Sequence, residues 1–85
     1  MASDPKYICV DTLWGPTYFL FPAWLGHNEM SKNISGEVLS VGFVSMLPFP
    51  KAYGMSDSLG IKSRDQDSRG IARQFNMRDD SDDRI

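Results

Sequence analysis

Glu37-Val38-Leu39-Ser40-Val41-Gly42-Phe43-Val44-Ser45-Met46 carries the strongest structural signal in the chain. It is the longest run without proline or clustered charge, and it is rich in β-branched residues, which favour extended structure. We therefore predict the central strand of a small sheet over residues 37–46. Because side chains alternate across a strand, Leu39, Val41 and Phe43 are expected to face the core. The small residues on the other face indicate a bulge at Gly42 or the close approach of another element.

Three further strands are predicted to pair with this one, over residues 7–12, 17–21 and 51–62. The first two form an antiparallel hairpin through Gly15-Pro16, and its turn is expected to be longer than two residues. The last is expected to bend near Gly54 and Gly60. Residues 23–36 are predicted to be a long connection with at most one short helix.

Residues 63–75 have the signature of a single C-terminal helix. Ser63 is a good N-cap, and Gln66 three residues later completes a capping box. Gly70 is expected to weaken the helix by roughly 1 kcal/mol relative to alanine. The spacing predicts an arginine face toward solvent and an apolar face on the sheet. The first face comprises Arg69 and Arg73, with Asp65 four residues before Arg69 as its expected ion-pair partner, and the second comprises Ile71, Ala72 and Phe75.

These elements predict an α+β fold, with a mainly antiparallel four-stranded sheet and one C-terminal helix packed on one face. The other face is expected to stay open to solvent or to be closed by a second copy in a homodimer. Residues 1–77 form a single domain, since 85 residues support one modest core. Residues 78–85 are expected to be a disordered acidic tail.

Charge is unevenly distributed along the chain. The net charge of −2 argues against a general nucleic-acid binder, which usually carries an excess of basic residues. Residues 51–78 are nevertheless basic, and an acidic stretch follows them directly. The favoured interpretation is a solvated face and a solubilising end. The alternative is a tail that screens the basic face until a partner competes.

Cysteine and histidine occur once each, as Cys9 and His27, so neither an internal disulfide nor a zinc-ligand spacing exists. Cys9 lies between apolar residues and is expected to be a buried thiol in a reducing cytoplasm. No apolar run has the length of a membrane span, and the N-terminal residues lack the pattern of a signal peptide. Gly54-Met55-Ser56-Asp57-Ser58 lacks the closing glycine of a nucleophile elbow. We therefore predict a non-enzymatic protein without catalytic residues, metal or cofactor.

The segment from Gly54 to Arg64 is the most distinctive string, because it combines glycines, hydroxyls and a basic residue before a helix. Ser56, Ser58, Ser63 and Arg64 are candidate ligands for an anion or a nucleotide phosphate. Turn chemistry and helix capping account for the same residues, and that interpretation is favoured.

Gly42-Phe43-Val44, the string Gly54-x-Ser56-x-Ser58-Leu59-Gly60, and Ser63-Arg64-x-x-Asp67 together resemble small uncharacterised proteins encoded by bacteriophages. The resemblance covers about half of the chain. It implies a phage or prophage accessory protein that acts in the cytoplasm of a bacterial host. It implies no activity.

Trp14, Trp24 and Phe49 lie beside glycine or proline, outside the predicted strands. They are either plugs of the core or, where two share a surface, anchors for a protein partner. We predict a small binding protein that modulates or inhibits a host protein through these aromatics together with Arg69 and Arg73. The alternative is a module that sequesters a small ligand or nucleotide at the Gly54–Arg64 segment.

Overall fold

The computed structural model describes residues 3–78 and confirms the α+β class. The elements, in chain order, are β1 (Lys6–Thr12), β2 (Gly15–Phe21), α1 (His27–Ser31), β3 (Glu37–Ser45), β4 (Lys51–Tyr53), β5 (Met55–Ser56), β6 (Ile61–Lys62) and α2 (Asp67–Gln74). Within residues 3–78, neither helix has the length and apolar character needed to cross a bilayer. The predicted disordered tail lies outside the described residues, apart from Arg78.

The main sheet is antiparallel with strand order β2-β1-β3-β4, so β3 is an interior strand as predicted. The β1–β2 hairpin pairs Thr12 with Gly15, which leaves only Leu13 and Trp14 in the loop. The prediction of a longer turn was therefore wrong. Pro16 belongs to β2, and it is tolerated there because an edge strand can lack one N–H donor.

The bulge in β3 lies at Leu39, and not at Gly42 as predicted. Cys9 pairs with Ser40 while Val10 pairs with Val38, so Leu39 is the extra residue. Leu39 consequently packs on the α2 face, whereas Val41 packs on the opposite face, contrary to the predicted shared face. Gly42 is small for another reason: a Cβ atom there would lie 2.3 Å from the carbonyl oxygen of Tyr53.

Residues 51–62 form three short strands in place of the single predicted one. β4 ends at Tyr53, and Gly54 turns the chain with a φ of +86°, a conformation that side chains rarely adopt. β5 and β6 then pair as a separate two-stranded sheet. The predicted bend at Gly54 thus becomes a complete break in the sheet.

Both faces of the main sheet are covered, which corrects the prediction of one open face. The α2 face buries a cluster made of Tyr7, Cys9, Tyr18, Val44 and Ile71. The opposite face is covered by the connection between β2 and β3 and by the β5–β6 hairpin. This second cluster has Ile8, Val10, Phe21 and Val41 at its centre, with Leu25, Met30, Ile34, Leu59 and Ile61 packed against them.

Helix α2 begins three residues later than predicted, with Gln66 at the N-cap position in place of Ser63. Ser63 does not cap it, and the residue before the helix, Gln66, makes no capping side-chain hydrogen bond. Asp67 organises this turn, because its carboxylate accepts the backbone N–H of Arg64 at 2.8 Å. Ile71 and Ala72 are buried as predicted. Phe75, predicted to pack on the sheet, follows the last helical residue and is 42% exposed.

Candidate functional site

A groove of about 1460 Å³ runs alongside α2, on the face that the helix covers. Its walls come from three parts of the chain: the end of the β1–β2 hairpin, the 45–51 connection between β3 and β4, and the turn and helix over 64–74. These segments are distant in sequence and are brought together by the packing of α2 across the sheet. The groove therefore exists only in the folded chain.

The groove presents large apolar side chains to solvent. Trp14 is 91% exposed and Leu47 is 83% exposed, whereas Phe49 is half-buried between two prolines. Trp14 occupies the two-residue hairpin loop at the end of β1 and β2. Leu47 is displayed by a connection that contains Pro48 and Pro50 and so cannot pair as a strand. Apolar groups of this size in a single groove are typical of an interaction surface.

The same groove is lined by cations. Lys51, Arg69 and Arg73 are exposed, and Asp65 is the lining carboxylate that faces solvent. Within residues 3–78, the one ion pair joins Arg64 to Asp67, so the predicted pair between Asp65 and Arg69 does not form. The exposed lining therefore carries an excess of positive charge.

Beneath the groove, a buried polar cluster holds α2 against the sheet. The carboxylate of Asp67 is fully buried and accepts hydrogen bonds from the hydroxyls of Tyr7, at 2.5 Å, and Tyr18, at 2.8 Å. Arg64 donates to Asp67 Oδ1 through Nε at 3.1 Å, and its Nη2 forms an ion pair with the same oxygen at 3.0 Å. Charge-assisted hydrogen bonds of this kind are the strong ones. They tie the start of α2 to β1 and β2.

The cluster also decides which of its groups are charged. Burial alone would raise the pKa of Asp67, but hydrogen bonds from Tyr7, the Arg64 backbone and Tyr18 outweigh it and lower that pKa. Burial, followed by the hydrogen bond to the carboxylate, raises the pKa of Tyr7 and of Tyr18 far above the usual range. The site thus holds an ionised aspartate between two neutral phenols.

Cys9 and Ser40 complete the cluster without supplying reactive groups to the groove. Burial raises the pKa of the Cys9 thiol, which keeps it in the unreactive protonated form, and the predicted burial of Cys9 is confirmed. Ser40 Oγ is buried and has no hydrogen-bond partner among residues 3–78. Of the side chains in the cluster, Tyr18 and Arg64 line the groove, and Arg64 is the partly exposed one, at 29%. The cluster therefore positions the groove wall.

Trp14, Phe49, Arg69 and Arg73, four of the predicted partner-binding residues, line this one groove. Trp24 does not: it is 82% exposed at the other end of the β1–β2 hairpin, beside Pro5 and Pro22. Seven-residue strands separate the two tryptophans by roughly 23 Å.

Sequence reasoning missed Leu47, Lys51 and Asp67. No sequence pattern singles out Leu47 or Lys51, because their importance comes from the groove that they line. Asp67 did give one, because Ser63-Arg64-x-x-Asp67 was part of the phage-protein resemblance.

The predicted anion ligands are occupied by internal hydrogen bonds. Ser56 Oγ and Ser58 Oγ lie 3.1 Å apart, and the backbone N–H of Leu59 donates to Ser56 Oγ at 3.3 Å. Ser63 donates its backbone N–H to the carbonyl of Gly54. Arg64 turns to the α2 face, away from the β5–β6 hairpin, because Asp67 holds its guanidinium. The structure therefore does not bring the four residues together at one site.

His27 is a buried structural residue at the start of α1. Its Nε2 donates to the carbonyl of Gly42 at 3.0 Å, and its ring lies edge-on to Phe21 and Phe43. Burial lowers its pKa, so the ring is neutral at pH 7.

Within residues 3–78, no three His, Cys, Asp or Glu side chains converge as metal ligands. No protein-family model, curated protein or solved structure matches this chain.

Proposed function

We propose that the protein is a non-enzymatic binding protein that holds a segment of a partner protein in the groove alongside α2. The observation that carries this proposal is the exposure of Trp14 and Leu47 in the same groove as Arg69 and Arg73. Tryptophan and arginine are the residue types that most often dominate binding energy at protein interfaces. An apolar side chain of this size gains free energy when a partner removes it from water.

The apolar anchors are widely spaced, which bears on the form of the partner segment. Trp14 lies at the end of the sheet where Asp11 pairs with Glu37, whereas Leu47 follows the other end of β3. Eight residues of extended strand separate these ends, or roughly 26 Å. An extended segment of about eight residues is therefore needed to contact both anchors.

The groove wall is rigid, which favours affinity. The hydrogen bonds of Asp67 fix the start of α2, and the side chain of Gln74 fixes its end by bonding the backbone N–H and carbonyl of Tyr18 at 2.6 and 2.7 Å. A preorganised surface loses less conformational entropy on binding. Arg69 and Arg73 are thus presented at a constant spacing along the helix.

The biological setting of this proposal comes from the resemblance to bacteriophage-encoded proteins. On that basis the partner is a host bacterial protein, and the chain acts as a phage or prophage modulator of it. We do not extend the proposal to an anion or nucleotide site at Gly54–Arg64, because the hydroxyls there bond within their own turn.

The experiment is capture from a bacterial lysate with matched variants, followed by affinity measurements on the purified captured protein. Trp14→Ala and the double reversal Arg69→Glu/Arg73→Glu remove the two kinds of groove contact. Trp24→Ala is the control for loss of an exposed tryptophan. Lys32→Glu/Lys62→Glu is the control for the same change of net charge at exposed positions outside the groove.

The proposal predicts that both groove variants weaken binding of the captured protein at least tenfold, about 1.4 kcal/mol, while both controls bind as the wild type does. Thermal unfolding of each variant checks that the fold is retained. Equal affinity of the groove variants and the wild type, or a selective loss in Trp24→Ala, would move the interface away from the groove.

A further inference from the structure

The groove alongside α2 carries a positive charge that the rest of the described surface does not share. Its lining holds one carboxylate, Asp65, against four cations, Lys51, Arg64, Arg69 and Arg73. The other residues among 3–78 hold four lysine or arginine side chains against six carboxylates. An occupant that carries carboxylates is therefore complementary to the groove and to no other part of the surface that residues 3–78 form.

Three of the four cations face solvent in the groove. Arg64 is held by Asp67 in the one ion pair found among residues 3–78, whereas Lys51, Arg69 and Arg73 are exposed and outside it. Apolar side chains flank these cations, so an occupant displaces water from around them. A carboxylate held there is screened less than one on an open surface, because fewer water molecules and salt ions surround it.

The two arginines define a spacing for the carboxylates that would contact them. Arg69 and Arg73 are four residues apart on one face of α2, or roughly 6 Å along the helix axis. In an extended segment, side chains on one face recur at every second residue, or roughly every 6–7 Å. Two carboxylates separated by one residue therefore match the two guanidinium groups, whereas adjacent carboxylates point to opposite faces.

The arginine pair is aligned with the apolar anchors of the groove. Helix α2 runs from β4, which it bonds through Ser68, to β2, which it bonds through Gln74. Leu47 lies in the connection that leads into β4, and Trp14 lies in the loop that leads into β2. A segment that extends from Leu47 to Trp14 consequently follows the direction of the helix, and its central residues pass the arginines.

A protein segment fits this lining better than a nucleic acid does. Nucleic acids are bound chiefly through their phosphates, and three exposed cations supply few such contacts. The exposed Leu47 and the half-buried Phe49, each beside a proline, are suited to aliphatic side chains, which a nucleic acid lacks.

We propose that the groove selects an acidic extended segment of a partner protein, in which two carboxylates separated by one residue contact Arg69 and Arg73 while apolar side chains at its two ends contact Leu47 and Trp14. This inference rests on the proposed function and adds to it the chemistry of the partner segment. Complementary charges contribute to specificity more than to raw affinity. The arginine pair thereby distinguishes among segments that the apolar anchors alone would accept equally.

The test is fluorescence anisotropy of labelled synthetic peptides with the full chain. The reference peptide has about eight residues, the length that spans the anchors, with a leucine at each end and two aspartates separated by one serine between them. One control peptide has asparagine in place of both aspartates, and another has the same composition with the aspartates adjacent. A fourth peptide carries lysines in place of the aspartates, and a thymidine oligonucleotide of similar length represents nucleic acid.

The proposal predicts that the reference peptide binds about tenfold more tightly than the asparagine peptide and about fivefold more tightly than the peptide with adjacent aspartates. This preference should disappear at about 1 M salt, where charges are screened within roughly 3 Å. Arg69→Glu/Arg73→Glu should reverse the preference and favour the lysine peptide. Lys32→Glu/Lys62→Glu changes the net charge equally and should leave the preference as in the wild type. Damage to the fold cannot reverse selectivity, so the reversal reports contact with the arginines.

Equal affinities for the aspartate and asparagine peptides, or for the two aspartate spacings, would overturn the inference. So would the absence of binding by all four peptides at about 1 mM. Tighter binding of the oligonucleotide than of the reference peptide would assign the groove to nucleic acid and would overturn it as well.

The peptide measurements need no captured partner. A captured protein that binds the groove through a segment without carboxylates would uphold the proposed function and refute this inference. Capture that is unaffected by the groove variants would refute the proposed function, while the charge preference of the groove would still be measured with the peptides. The two failures are therefore distinguishable.

Discussion

Replacing Gly70 with alanine separates helix propensity from packing, because the two effects have opposite signs. Gly70 lies inside α2, where alanine is more favourable than glycine by about 1 kcal/mol. A Cβ atom at this position would lie 2.4 Å from Tyr18 Oη and 2.6 Å from Tyr18 Cε2. Real Cβ atoms essentially never make contacts this short, so the ring or the helix must move.

Tyr18 cannot move at low cost. It is buried, and its hydroxyl donates to the buried carboxylate of Asp67 at 2.8 Å. Overpacking typically costs about 1–3 kcal/mol, and weakening a hydrogen bond to a charged group costs about 1.5–3 kcal/mol. After the gain in propensity, we expect Gly70→Ala to lower the free energy of unfolding by about 2 kcal/mol. In a domain of this size, that corresponds to a Tm lower by roughly 8–16 °C.

The assay is urea unfolding followed by circular dichroism, with Arg69→Ala as the control. Arg69 is exposed on the same helix, so its replacement should change the free energy of unfolding by no more than about 0.5 kcal/mol. Stabilisation by Gly70→Ala would show that propensity dominates, and it would refute the close contact between α2 and Tyr18.

Three further predictions concern the buried titrating groups. Asp67→Asn should lower the free energy of unfolding by about 1.5–3 kcal/mol, because it removes the charged acceptor of the Tyr7, Tyr18 and Arg64 hydrogen bonds; chemical denaturation measures the loss. Stability should also fall as the pH is lowered from 7. Below about pH 6.5 the unfolded chain protonates His27 while the fold keeps it neutral, and below about pH 3.9 the fold loses the contribution of ionised Asp67, whose folded pKa is lowered. At alkaline pH, Tyr7 and Tyr18 have raised folded pKa values, so their stabilising contribution is complete below about pH 10 and is lost above it. Ultraviolet absorbance should therefore show these two phenols ionising together with unfolding.

Each of these predictions has a contrary outcome. A loss below about 1 kcal/mol in Asp67→Asn would mean that the cluster contributes no more than one ordinary hydrogen bond. Stability that rises between pH 7 and pH 4 would contradict the neutral, buried His27. Ionisation of all three tyrosines in the folded protein near pH 10 would contradict the buried phenols, since only Tyr53 is exposed.

The order of the main elements was predictable because their signals are local. Local composition favours a strand over the β-branched run of β3 and over the aromatic run of β2, and the amphipathic pattern of α2 favours a helix. The position of the bulge in β3 was not predictable. A bulge at Leu39 and a bulge at Gly42 give equally plausible distributions of the β3 side chains between the two faces of the sheet. Only the pairing of Cys9 with Ser40 and of Val10 with Val38 selects one of them.

The start of α2 shows a local rule overridden by a tertiary contact. Ser63 and Gln66 match a capping box, but the Asp67 carboxylate also accepts the Arg64 N–H and two tyrosine hydroxyls from the sheet. The burial of Asp67 depends on tyrosines 60 and 49 residues away in sequence, and no local pattern reports such partners.

The groove was predictable in part. Trp14 and Phe49 are predicted to be either core plugs or anchors, because they lie beside glycine or proline outside the predicted strands, and the arginine face of α2 follows from helical spacing. The sequence does not show that these residues line one groove, because that depends on how α2 crosses the sheet. The helix runs from β4, where the Ser68 hydroxyl accepts the backbone N–H of Ala52, to β2, where Gln74 bonds the backbone of Tyr18. Trp24 lies outside the groove that this crossing forms.

The groove as a binding surface is tested most directly by amide chemical-shift mapping of the complex with the captured partner. We predict perturbations concentrated in residues 14–18, 45–51 and 64–74, with little change around Trp24 or in the β5–β6 hairpin. Perturbations centred on Trp24 or on that hairpin, with the α2 groove unchanged, would contradict the account.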